Sequence, residues 1–121
     1  MNGHGRRVAE QLLAQAGCLR VESPWVSGPE SALSVDFAVL AEHAGALDLS
    51  EEAVARIAHS LATGRPVDLR SAFGHLTRDH AQLVMTAVAV AGGHDREGCR
   101  VRVDGGDRCV ESVPPLAAWP A

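Results

Sequence analysis

The sequence predicts a single α+β domain over residues 1–121: about four helices followed by a C-terminal β-hairpin, with residues 19–22 as a candidate third strand. Apolar residues recur at helical spacing through most of the chain up to Ala91, the primary signal for amphipathic helices. Beyond it, two valine-rich runs flank Gly105-Gly106, a strong hairpin signal. A chain of 121 residues, 46% of them hydrophobic, buries one core and does not divide into two domains.

The first helix is expected from Gly5 to Cys18, with Val8, Leu12, Ala16 and Leu19 as its apolar stripe and Arg7, Glu10, Gln11 and Gln15 on the other sides. Leu19-Arg20-Val21-Glu22 alternates and so reads as a strand, and Ser23 to Gly28 reads as a loop in which Trp25 lies as a lid on the core. A second helix is expected to start at Pro29, because proline suits the first helical position and Glu30 suits the positive end of the dipole. Its face is Leu33, Phe37, Leu40, Ala44 and Leu47, although Leu33, Val35, Phe37 and Val39 also alternate as a strand would. Ser50 is the expected cap of a third helix with the stripe Val54, Ile57, Ala58 and Leu61, ended by Gly64 and Pro66.

A fourth helix is expected to begin after Asp68, an N-cap candidate, to carry Phe73, Leu76, Leu83, Val84, Ala87 and Ala91 on one face, and to end at Gly92-Gly93. Its second half, Leu83 to Ala91, is apolar nearly all round, so it needs cover on several sides. That points to a homodimer through Leu83 to Ala91. In the hairpin, Val101 should face Val110 and Arg100 should face Glu111, leaving Cys99 and Cys109 unpaired with each other. Residues 114–121 form an extended tail holding Trp119.

Every basic residue is arginine, and the chain has no lysine, no tyrosine, one isoleucine and one asparagine. Such a composition is expected of a high-GC bacterial gene, and it removes much of the special meaning of arginine. Net charge is −4. Between Ser23 and Gly64 the acids Glu30, Asp36, Glu42, Asp48, Glu51 and Glu52 meet only Arg56, so a 30–52 acidic face is expected to repel nucleic acid and suit a basic protein partner. No apolar stretch near the N-terminus reads as an export signal and no run is long enough for a membrane span. A cytoplasmic, non-membrane protein is the expectation. Three cysteines without C-x-x-C spacing indicate neither a disulfide framework nor a zinc knuckle.

The stretch Leu40-Ala41-Glu42-His43-Ala44-Gly45, followed by Leu49 to Leu61, resembles a helix-turn-helix. The turn between Gly45 and Ser50 is longer than that motif tolerates, and Glu51-Glu52 would face phosphates. With the hairpin, the order of elements is loosely like a winged helix with one helix too many. The resemblance implies DNA binding through Arg56, His59 and Ser60, with Arg100, Arg102 and Arg108 as a wing.

Two groups carry potential chemistry. His75 and Asp79 stand at i and i+4, a spacing that suits two metal ligands or a His–carboxylate pair, and His43 or His59 are the groups that can converge with them. His80 lies between Leu76 and Val84 on the apolar stripe, where a buried imidazole bonded to a backbone carbonyl is expected. No phosphate-binding loop and no nucleophile elbow is present, so no catalytic residue and no cofactor is predicted. The functional expectation is a small non-catalytic interaction or regulatory protein acting as a dimer. Its alternatives are a helix-turn-helix-like DNA-binding regulator and a metal-binding protein or enzyme using His75 and Asp79.

Overall fold

A computed structural model describes residues 3–120. Among them are five helices, α1 (Gly3–Gln15), α2 (Phe37–His43), α3 (Leu49–Thr63), α4 (Leu69–His75) and α5 (Arg78–Ala91). A two-residue ribbon pairs β1 (Val26–Ser27) with β2 (Ser34–Val35), and the C-terminal hairpin pairs β3 (Gly98–Asp104) with β4 (Asp107–Val113). The predicted α+β class holds. No helix is long and apolar enough to cross a membrane among the described residues.

α3 is the hub, packed by α1, α2, α4 and α5. Ala53, Val54, Ala55, Ile57 and Ala58 are buried along it, and the alanines let neighbouring backbones come close. α1 meets it with Val8, Ala9, Leu12 and Leu13, and α5 adds Val84, Ala87 and Val90 to the same core. Gly64 ends α3 in the left-handed conformation at φ 78°, as the sequence indicated.

Four expectations need correction. Residues 19–22 form no strand: a turn follows α1 and nothing there pairs with the hairpin. Helix 2 does not begin at Pro29. Glu30–Ala32 make a single 3-10 turn, Ser34–Val35 run extended, and the helix starts at Phe37 behind Asp36, whose carboxylate accepts from the Ala38 and Val39 N–H groups. The cause is tertiary. The Val35 carbonyl accepts from Arg6 Nη2 at 2.7 Å and its N–H donates to Glu10 Oε2 at 3.2 Å, so α1 holds this backbone extended. Gly28, at φ +93°, lets the ribbon's turn close, since a Cβ there would lie 2.8 Å from the Ala32 oxygen.

The third helix is capped by Asp48, not Ser50. The Asp48 carboxylate accepts from the Glu51 N–H at 2.8 Å, and Ser50 lies inside the helix, buried. Finally, the expected fourth helix is two. α4 ends at His75, Leu76 is extended, and Thr77 caps α5 by accepting from the His80 N–H. The Thr77 N–H turns away to donate to Ser50 Oγ at 2.9 Å, so a polar tie to α3 replaces the helical bond.

The segment expected to need outside cover is mostly covered by its own domain. Val84, Thr86, Ala87, Ala89 and Val90 are buried, while Met85 and Val88 remain 59% and 52% exposed. Residues 114–120 have no regular structure. They are anchored by the Leu116 N–H donating to the His94 carbonyl at 2.9 Å and by Trp119 against the core.

Candidate functional site

The break between α4 and α5 undoes the premise of a His75–Asp79 site. His75 closes α4 and Asp79 lies in the first turn of α5, so the two do not share one helical face. His43, at the end of α2, stands beside Trp25 with ring centroids 6.2 Å apart. His59 lines a cavity of about 260 Å³ with Leu40, Ala41, Ala44 and Arg56. His75 lines a separate one of about 220 Å³ with Glu52, Arg56 and Asp68. Among the described residues no three His, Cys, Asp or Glu side chains are grouped to hold a metal ion.

Arg56 lies between those cavities and is bound to Glu52 at 2.5 Å. Such an i, i+4 pair on an exposed surface lowers the charge available to a phosphate. Ser60 and His59 are half-buried on the same helix. In the hairpin, Arg100 is paired with Glu111 at 2.6 Å. The register Val103↔Arg108 puts Arg108 on the face opposite Arg100 and Arg102. The candidate DNA-contacting arginines are therefore divided among α3 and two faces of a hairpin whose tip carries Asp104 and Asp107.

The acidic face is also largely engaged. Asp36 and Asp48 cap helices, Glu51 pairs with Arg20 at 3.4 Å, and Glu52 pairs with Arg56. The hydrogen bond from the Glu51 backbone holds the Asp48 carboxyl below its ordinary value. Glu51 moves the other way, raised first by its hydrogen bond with the Asp48 side chain. Glu30 and Glu42 remain exposed. Beside this group Cys18 is buried, and burial, with the Glu51 charge adding, pushes its thiol up to about 11. A thiol so protonated is a poor nucleophile.

Sequence reasoning missed the polar junction where α1, α3 and α5 meet. The His80 Nε2 faces the Ala16 carbonyl at 3.2 Å, and its Nδ1 lies 2.6 Å from Ser50 Oγ. A carbonyl only accepts, so Nε2 carries the proton in the neutral ring. Nδ1 then accepts from the Ser50 hydroxyl, whose oxygen accepts from the Thr77 N–H. Every lone pair and proton that matters is used, which suits a structural tie. The carbonyl partner of His80 was expected; Ser50 was read as a cap, and no local signal links residues 50 and 80.

The other distinctive surface is the hairpin. Every residue from Cys99 to Val110 is exposed. The register pairs Val101 with Val110, Arg100 with Glu111 and Cys99 with Ser112, as the sequence indicated, and all three cysteines are free. Gly105 and Gly106 turn it at φ +59° and +90°, the paired positive φ values of a type I′ turn. It stands off the helical body as an arm, with Val101, Val103 and Val110 at 61%, 66% and 72% exposure.

No family model, curated protein or solved structure matches this chain. Exposed apolar side chains also lie on the helical body, at Leu49, Leu69, Met85 and Val88, and the arm differs from them in being exposed along the whole of Cys99–Val110.

Proposed function

We propose that this chain is a small, non-catalytic interaction or regulatory protein of the cytoplasm, and that the β-arm is the surface through which it engages a partner. The observation that carries the reading is the exposure of the whole segment Cys99–Val110, three valines included. A two-stranded hairpin alone is marginal in water, so a chain that keeps one uncovered has a partner's surface to complete it. Self-association through Leu83–Ala91 has less to draw on, because Met85 and Val88 are what that segment leaves exposed. The test is chemical crosslinking of the tagged full chain in extracts of a high-GC bacterium, beside the Val101→Glu, Val110→Glu double variant. Discrete adducts lost in the variant are expected. Identical adducts from both chains would remove the arm from the reading.

A further inference from the structure

The cavity of about 260 Å³ beside α3 has an apolar floor and a charged rim. Leu40, Ala44 and Ala55 are buried at its base, while Arg56 and Asp68 are exposed at its edge. Alanines create the space: α2 and α3 both present small side chains there, and the chain entering α4 closes the far side with Pro66 and Val67. No residue of the arm borders it, so what it binds is a question separate from the arm's partner.

Its two charges are opposite, and they do not neutralise each other. Arg56 is paired through Nε and Nη2 with Glu52, which borders the neighbouring cavity and not this one. The pair fixes the guanidinium and leaves it further N–H donors. Asp68 Oδ1 accepts from the Ser71 N–H at 3.1 Å as the cap of α4, and its second oxygen meets no donor among the described residues. His59 stands one turn on from Arg56, half-buried in the wall. Its ring has no hydrogen-bond partner among the described residues.

We infer that this cavity binds a free aliphatic α-amino acid, its carboxylate on Arg56 and His59, its ammonium on Asp68 and its side chain on the Leu40, Ala44 and Ala55 floor. A simple carboxylate would meet the like charge of Asp68, and a simple amine would meet that of Arg56. A zwitterion answers both. The size agrees, since sites for drug-sized ligands start near about 300 Å³ and this one is smaller. The wall holds no aromatic ring to stack against, which favours an aliphatic side chain.

The experiment is titration calorimetry of the purified full chain with L-valine, L-leucine and two analogues of leucine. Leucinamide keeps the ammonium and loses the carboxylate; 4-methylpentanoate keeps the carboxylate and lacks the ammonium. Saturable binding of valine or leucine is expected with a dissociation constant of about 1 mM or lower. Each analogue should bind at least about tenfold more weakly than leucine, because each loses a hydrogen-bonded charge. Asp68→Asn keeps a capping side chain at the start of α4 and should cut the preference for leucine over 4-methylpentanoate to roughly threefold or less. Arg56→Gln should do the same to the preference over leucinamide. Arg70→Gln, exposed on α4 and outside the cavity, should change neither, and melting curves confirm that each variant is folded. No binding of either amino acid at about 10 mM, a concentration well above weak small-ligand constants, overturns the inference. So do analogues that bind as well as leucine, or preferences that survive both cavity substitutions.

Discussion

Replacing Ser50 with alanine removes one oxygen from the junction of three helices, and its cost follows from the hydrogen-bond inventory. The hydroxyl donates to His80 Nδ1 at 2.6 Å and accepts from the Thr77 N–H at 2.9 Å. Thr77 is exposed, so water can take over its N–H. His80 Nδ1 has no such relief, because Nε2 must keep its proton for the Ala16 carbonyl, and a half-buried acceptor is left without a donor. The lost bond together with the stranded nitrogen costs about 2–3 kcal/mol. At roughly 2.1 cal/mol/K of unfolding entropy per residue, the 121 residues give about 250 cal/mol/K, and the melting temperature should drop by about 8–12 °C. Calorimetry on Ser50→Ala, His80→Ala and the double variant should show a coupling of about 1–2 kcal/mol. Exposed Ser31→Ala serves as the reference and should stay within about 0.5 kcal/mol. A fall below about 2 °C, or additive single effects, would mean that the hydroxyl and the ring do not act together.

Three further outcomes are expected. Cys18 has its thiol raised from 9.0 to about 11 in the fold; between those values the native state holds a proton that the unfolded chain releases, so stability falls as pH rises through that window, by up to roughly 2–3 kcal/mol. The chain has no lysine or tyrosine to obscure this, and Cys18→Ala should flatten the denaturant-midpoint profile; a slope unchanged in the variant would refute the assignment. Added zinc or chelator should leave the melting temperature unchanged in both the natural chain and His75→Ala, and a shift of several degrees confined to the natural chain would restore the metal reading. Gly105→Ala with Gly106→Ala forces side chains into positive φ at about 1–2 kcal/mol each, enough to open the arm while the helical body melts at its usual temperature; a lower body melting temperature would show that the two are coupled.

The parts of this fold that sequence reasoning recovered were those decided by local chemistry. The hairpin register followed from Gly105-Gly106 and alternating valines, and the end of α3 followed from Gly64, because those residues act on their own backbone. Misreadings fell where a distant side chain competed for a backbone group. Pro29 and Glu30 are a sound helix start in isolation, but Arg6 and Glu10 of α1 take the Val35 carbonyl and N–H. Two signals were present and under-weighted: Asp48 two residues before Ser50, and Thr77 two before Asp79, both ordinary capping patterns. The candidate surface was half legible. Apolar alternation in 99–103 was plain, but a strand pattern cannot say whether the apolar face is covered, and that exposure is what singles out the arm.

Amide hydrogen exchange of the purified chain in dilute solution tests most directly whether the arm is a surface separate from the helical body. Peptides from Gly98–Val113 should exchange far faster than those from α3. Arm peptides protected as well as α3 would mean that the body itself covers the valines and that the arm is not an open surface.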